Sequence, residues 1–280
     1  MTETVEIIKL CGTKELSLYK TFECGQCFRW EQSSDGVWRG VYKGQAAKLW
    51  DDGGIVRISC EHPEMWRDYF DLGRDYSALR FGDGSIFLEN CIRYGEGIRI
   101  LRQDRWEALC SFIVSQCNNI PRIKKIIDTL CRKFGGRFEF DGETYYSFPE
   151  ADKIAALEPA DLEVLRCGYR APYIIGAARA VASGALDLDA LAENGSHTEA
   201  LAALKTLRGV GDKVASCVIL YGLHIMSGFP IDTWMRRALR EHFPPGFDPK
   251  TLGPEAGIAQ QYIFYFARSK GEKDGFTPSV

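Results

Sequence analysis

Lys213 and Asp232 are the side chains whose types and spacing could do covalent chemistry. Lys213 is the second residue after the last glycine of Leu207-Arg208-Gly209-Val210-Gly211, and Asp232 follows nineteen residues later in Pro230-Ile231-Asp232. Gly209 and Gly211 flank one apolar residue, so the chain can turn sharply and present bare N–H groups where a helix begins. Such a turn binds a phosphate oxygen without any side chain. Lys213 opens the apolar run Val214 to Leu223, where the positive end of the helix dipole disfavours a charged ammonium. A neutral amine is a nucleophile. Asp232 stands before Thr233 and a helical run, the place of an amino-terminal cap, where a carboxylate accepts backbone N–H bonds and stays ionised beside the amine. Taken singly, Lys213 could equally be an exposed lysine touching phosphate and Asp232 only a cap.

Elements that could position these groups follow from periodicity. From Thr21 to Cys60 short alternating segments (Phe28 to Trp30, Val37 to Tyr42, Gln45 to Trp50, Ile55 to Cys60) are broken by Asp35-Gly36, Lys43-Gly44 and Asp51-Asp52-Gly53-Gly54. They predict an antiparallel meander, covered in part by Met65, Trp66, Tyr69, Phe70 and Leu72 at helical spacing. After about residue 100 the period becomes helical. Asp104 and Glu107 suit a capping box ahead of Trp106, Leu109, Cys110, Ile113 and Val114, and a second helix opens at Pro121 and ends before Gly135. Further helices are expected from Thr198 to Thr206, Asp212 to His224, Thr233 to His242 and Pro254 to Arg268, with a loose polar tail past Ser269. The fold class is thus α+β, an amino-terminal sheet domain over residues 1–100 and a helical domain of two lobes over residues 101–280.

Composition bounds the function. The 280 residues are 45% hydrophobic and 26% charged, a globular balance with no apolar run near the ~20 residues of a membrane span and no targeting segment. A soluble cytoplasmic protein without membrane partners is expected, nucleoid-associated if bacterial. The net charge of -3 argues against a uniformly basic surface, yet Arg122, Lys124, Lys125, Arg132, Lys133 and Arg137 cluster, as do Arg236, Arg237 and Arg240. Each run reads either as a solvated helix face or as a local basic face. Ten cysteines include one Cys-x-x-Cys pair, Cys24 and Cys27, without a second pair to complete a metal site. Buried reduced thiols are expected.

The hairpin, the lysine and the aspartate together resemble the helix-hairpin-helix DNA glycosylases, and the lysine marks bifunctional members. The resemblance implies that Lys213 attacks the sugar C1′, displaces the damaged base and forms a Schiff base that permits strand cleavage, with Asp232 assisting. No cysteine follows Cys217, so the four-cysteine iron-sulfur loop of the endonuclease III branch is absent. Four further segments resemble the 8-oxoguanine DNA glycosylase family. Gly25-Gln26-Cys27-Phe28-Arg29-Trp30 is similar to a motif whose glycine carbonyl accepts the N7 hydrogen that 8-oxoguanine has and guanine lacks, a difference of roughly 1–3 kcal/mol. Ser111-Phe112-Ile113 through Asn118-Asn119-Ile120-Pro121-Arg122 resembles a helix end and turn that fill the space left by the flipped base and contact the orphaned cytosine, with Asn119 and Arg122 matching but Cys117 standing where asparagine is usual. Gly168-Tyr169-Arg170-Ala171 resembles a segment whose tyrosine wedges beside the orphan base and whose arginine bonds to it. Gly257 to Phe264 resembles a carboxy-terminal helix that supplies Gln260 for the Watson-Crick edge and Phe264 for stacking, opposite a wall formed by Cys217. Trp234 replaces a common histidine, altering a phosphate contact.

The family implies a bifunctional glycosylase and abasic-site lyase that flips 8-oxoguanine out of duplex DNA. It implies a monomer without organic cofactor or catalytic metal, whose hairpin carbonyls at Lys205, Leu207 and Val210 hold a monovalent cation. Alternatives are a glycosylase for other damaged bases, or a non-catalytic module that uses Gly209 and Gly211 only to bind phosphate. Borohydride trapping separates the last, which has no imine to reduce.

Overall fold

Alternation in the first 60 residues builds one twisted sheet, and the helical period after it builds the body on which that sheet sits. The computed structural model describes residues 5–82 and 85–273. Strands β1 (Glu6–Gly12), β2 (Trp30–Gln32), β3 (Trp38–Tyr42), β4 (Gln45–Asp52) and β5 (Ile55–Cys60) are all antiparallel, in the order β1-β5-β4-β3-β2. The meander is as expected from β3 to β5. β1 was not expected, and the segment read as a strand from Phe28 becomes one only at Trp30. Gly25 to Arg29 instead spend their polar groups on contacts to the helical body.

One sheet face packs on helix α1 (Leu18–Glu23) and helix α2 (Pro63–Tyr69), with Phe22, Trp30, Trp66, Tyr69 and Phe70 in the centre. Trp30 stacks on Phe22 at 4.3 Å between ring centroids and donates its indole N–H to the Tyr69 hydroxyl at 2.8 Å. A buried Trp satisfied at its one polar atom contributes both area and direction; truncating it to alanine costs about 3–5 kcal/mol.

The helical body comprises α3 (Ile86–Gly95), α4 (Arg105–Val114), α5 (Ile120–Phe134), α6 (Ala151–Ala155), α7 (Ala171–Ala182), α8 (Leu188–Asn194), α9 (His197–Leu204), α10 (Asp212–Cys217), α11 (Thr233–His242) and α12 (Ala256–Lys273). α4 is its axis: every residue from Ala108 to Val114 is buried, as a helix apolar on all sides must be. α3 packs against α12, and Cys24 and Phe28 belong to this helical core, not to that of the sheet.

Three local expectations change. Asp104 caps α4 by accepting the Glu107 N–H at 2.9 Å, but the Glu107 carboxylate turns inward to Arg29 at 3.2 Å and does not close a capping box. The helix expected from Asp212 to His224 is α-helical only to Cys217 and π-helical from Val218 to Gly222, with Leu223 N–H reaching the Val218 carbonyl at 2.8 Å. α12 continues past Ser269 to Lys273, and residues 274–280 of the expected polar tail lie outside the described residues. A hairpin of β6 (Arg137–Phe140) and β7 (Glu143–Tyr146) joins body to sheet: Lys48 of β4 bonds to Asp141 at 2.8 Å, and Arg39 of β3 bonds to Glu143 at 3.1 Å.

Candidate active site

Capping and packing aim the hairpin. Ser196 and Glu199 form a reciprocal capping box on α9, and the chain then turns through Leu207 to Gly211 into α10. Gly209 has φ +84°, and a Cβ there would stand 2.3 Å from the Tyr173 ring, so only glycine is accommodated. Gly211 differs. It has ordinary extended backbone and nothing within 4 Å of where a Cβ would be, which leaves open space at the amino end of α10, beside exposed Arg208.

Lys213 lies in the first turn of α10, half-buried, its ammonium 5.9 Å from the centre of the Phe112 ring. Cys217 is one turn further on. Asp232 caps α11, accepting the Met235 N–H at 2.8 Å. Burial pushes the Asp232 carboxyl above its ordinary value, opposed by N–H bonds from Met235 and Trp234 and by the Lys213 charge. Burial likewise pushes the Cys217 thiol up, and Lys213 opposes that too. One amine, one carboxyl and one thiol therefore share a single electrostatic neighbourhood. Trp234, beside Asp232 in sequence, is buried with its ring against Gly271 of α12, so its indole does not face outward.

Gly25, on the sheet side, packs against α12. It has φ +81°, the left-handed region that favours glycine, and the nearest atoms to a Cβ there belong to Arg268, Phe264 and Ile120 at 3.8–3.9 Å. Two residues expected to share a pocket, Gly25 and Phe264, are thus neighbours, and Phe264 remains partly open. The turn is held firmly. Gln26 is fully buried; its amide donates to the Thr21 and Arg99 carbonyls at 3.1 and 2.8 Å and accepts the Leu101 N–H at 3.0 Å. Arg29 pairs with Glu107 and donates to the Tyr146 carbonyl of β7, and Arg268 donates to the Glu23 carbonyl at 3.0 Å. Gln260 is buried with its amide nitrogen on the Pro230 carbonyl at 3.0 Å, which ties it to the segment that carries Asp232.

The remaining residues gather on a separate turn. Asn119 caps α5, accepting the Arg122 N–H at 3.0 Å, and the Arg122 guanidinium reaches the Arg166 carbonyl at 3.2 Å. Cys117 is exposed with φ +44°. Tyr169 is half exposed over the Arg170 guanidinium. Arg170 itself is buried, its donors spent on the carbonyls of Gln116, Cys117 and Cys167. Of the hairpin carbonyls of Lys205, Leu207 and Val210, that of Leu207 already accepts the Val210 N–H at 3.1 Å.

Residues 9–109 match the 8-oxoguanine DNA glycosylase N-terminal domain, and residues 110–251 match the HhH-GPD superfamily of base excision DNA repair proteins. The chain belongs to the 8-oxoguanine DNA glycosylase family. Its fold is similar to that of MBOgg1 solved in complex with a low-affinity DNA ligand, with a TM-score of 0.86 and 38% identity, covering 97% of this chain and 100% of that one. It is also similar to the Clostridium acetobutylicum 8-oxoguanine glycosylase/lyase in complex with double-stranded DNA containing cytosine opposite 8-oxoG. There the TM-score is 0.83 at 33% identity, over 96% of this chain and 98% of that one. The N-glycosylase/DNA lyase OGG1 of Arabidopsis thaliana is 28% identical over 292 residues, 94% of this chain and 76% of that protein.

Within this family fold, several site residues escaped the sequence reading. Gln26, Arg29 and Glu107 anchor the Gly25 turn, Phe112 lies under Lys213, Tyr173 seats Gly209, and Tyr221 and Gln261 join α12 to the rest. For Gln26 and Arg29 the signal was present, since both lie inside the quoted motif. Gln261 also lies inside a quoted segment, Gly257 to Phe264, whereas for Tyr221 there was no signal, because it reads as one more residue on a buried helix.

Proposed function

We propose that this chain excises 8-oxoguanine from duplex DNA and cleaves the strand at the abasic site left behind, with Lys213 as nucleophile and Asp232 as its electrostatic partner. The observation that carries the reading is the convergence of Lys213, Asp232 and Cys217, tied by Gln260 on the Pro230 carbonyl to the helix whose Phe264 packs against Gly25. The neutral amine adds to C1′ as the N-glycosidic bond breaks, and the base departs with the bonding pair and takes up a proton released from the new C–N nitrogen; the C1′–O4′ bond then opens, O4′ leaving as a hydroxyl, and the protonated imine so formed acidifies the 2′ hydrogen. Loss of that proton expels the 3′ phosphate. Asp232 favours positive charge as it builds on the sugar. A flipped base would lie between Cys217 and Phe264, read at N7–H by the Gly25 carbonyl and on its Watson-Crick edge by Gln260. Gly209 and Gly211 would offer backbone N–H groups to a phosphate, helped by a cation on the carbonyls of Lys205, Leu207 and Val210. Asn119, Arg122, Tyr169 and Arg170 would occupy the orphan-base side.

Labour divides at about residue 100: residues 1–100 supply the lesion reader, residues 101–280 the chemistry and the backbone grip, and one copy suffices. The test is incubation with a duplex carrying 8-oxoguanine opposite cytosine, with and without borohydride. The unmodified protein is expected to nick the strand and to be trapped covalently. Lys213→Gln is expected to lose both and still bind the duplex; appreciable excision by that variant would make water or another amine the nucleophile.

A further inference from the structure

We infer that Tyr221 and Gln261 are positioning residues for recognition of the damaged base, forming a buried polar bridge that holds the Gly25 turn and Gln260 in register with the Asp232 segment. The inference rests on the pocket reading above. The π-helical turn from Val218 to Gly222 places the Tyr221 ring on Phe112, with centroids 5.4 Å apart and planes 24° from parallel. Its hydroxyl meets the side-chain oxygens of both Gln260, at 3.3 Å, and Gln261. The Gln261 amide nitrogen donates to the Cys24 carbonyl at 3.3 Å, and the Gln260 amide nitrogen to the Pro230 carbonyl at 3.0 Å. One run of polar contacts therefore leads from the peptide immediately before Gly25 to the residue two before Asp232, with the single Tyr221 hydrogen given to one of the two glutamine oxygens at a time. Tyr221, Gln260 and Gln261 are 4%, 2% and 0% exposed, so water does not compete for these groups.

Hydrogen accounting gives the bridge its role. Burial pushes the Tyr221 hydroxyl well above its ordinary pKa, so it stays a donor, but it has one hydrogen and faces two amide oxygens. Given to Gln261, that hydrogen leaves the Gln260 oxygen with acceptor capacity for a base; given to Gln260, it takes up part of that capacity. The same hydroxyl fixes which way the Gln261 amide points, and hence whether the peptide before Gly25 is held. The Tyr221 ring touches Phe112, which also lies 5.9 Å from the Lys213 ammonium, so a variant must keep that ring in place and remove only the hydroxyl.

A purely structural role would lower stability and every activity together, whereas a positioning role separates two reactions that the same active site performs. Excision needs the base to be recognised. Cleavage of a preformed abasic site needs Lys213 and Asp232 but no base. The experiment compares single-turnover rates on both substrates, with melting temperatures, for Tyr221→Phe, Gln261→Met and the double variant. Tyr221→Phe keeps the ring on Phe112 and is expected to slow excision about 10-fold with abasic-site cleavage unchanged within about twofold. Gln261→Met is expected to show the same split, and the double variant to be no worse than the poorer single one, because both act through one path. Equal losses on the two substrates, or unchanged excision in either folded variant, overturns the bridge. An unmodified protein inactive on both substrates overturns the functional reading itself.

Discussion

The pocket proposed for the lesion and the turn proposed for the opposite base are built on opposite principles. Around Gly25, polar groups are consumed from several directions: Gln26 from within the turn, Gln261 and Arg268 from α12, and the Arg29–Glu107 pair beneath. Such a frame fixes a carbonyl to within a fraction of an ångström, which a hydrogen-bond reading of one atom demands. The turn at residues 116–119 has the reverse character. Cys117 is exposed in a left-handed conformation, and Arg170 grips the turn from behind through carbonyls, so its fork faces the protein. Under the proposed function, selectivity for the damaged base would be carried by a frame bonded from several elements, and selectivity for its partner by a turn held from behind by one guanidinium.

The most severe way to break the lesion side is at Asp232. Asp232→Asn keeps an oxygen for the Met235 N–H and removes the charge, so excision is expected to fall at least about 100-fold with a small change in melting temperature. Unchanged single-turnover excision would reduce Asp232 to a cap. The hairpin sharpens the comparison with two substitutions of one chemistry. Gly209→Ala must enter the left-handed region and meet Tyr173, a loss of at least about 1–2 kcal/mol in unfolding experiments. Gly211→Ala has room and an ordinary φ, so folding should be unaffected while duplex affinity weakens about 10-fold, roughly the value of one charge-assisted hydrogen bond. Equal affinity in Gly211→Ala would mean that no phosphate approaches there.

On the side of the opposite base, Cys117→Asn supplies an amide and suits the left-handed backbone, which asparagine adopts several-fold more readily. The preference for excision opposite cytosine over adenine is expected to rise by about 10-fold, near the lower end of the roughly 1–3 kcal/mol of a specific base contact. Arg170→Ala should lower both that preference and the melting temperature, since it releases three carbonyls; a lower preference at unchanged stability would instead mark a direct base contact.

The smallest effect lies beneath the frame. Glu107 is pushed up to about 7 by burial, with Arg29 opposing. Between its ordinary value of 4.5 and about 7 the folded protein holds a proton that the unfolded chain has released, so this group makes stability fall as pH rises through that window. His224, lowered to about 4 by burial, acts in the opposite direction up to its ordinary 6.5, and a comparison of variants isolates the carboxyl. Unfolding free energies of Glu107→Gln from pH 5 to 7 should fall less steeply than those of the unmodified protein; parallel curves would mean that Arg29 keeps Glu107 ionised.

Much of this was legible in the chain. Turn residues between alternating segments marked β3 to β5, and the two glycines, the lysine and the aspartate marked the hairpin, because local conformational demands leave local signatures. β6 and β7 also carried one, Asp141-Gly142 between alternating segments, with φ +46° and +74° as a two-residue turn requires. The π-helical turn, the Glu107 ion pair and the Tyr221 bridge were not legible. Each depends on which residue a distant element places opposite, and no periodicity within one helix encodes that.

The bond from Gln261 to the Cys24 carbonyl spans 237 positions of the chain. A growing chain holds all the strands of its sheet long before α12 is made, but the proposed pocket needs α12 to return to the turn at Gly25. Contacts so distant are formed late and at high entropic cost. A copy that lacks α12 lacks Gln260, Gln261 and Phe264 together, and with them the pocket proposed above.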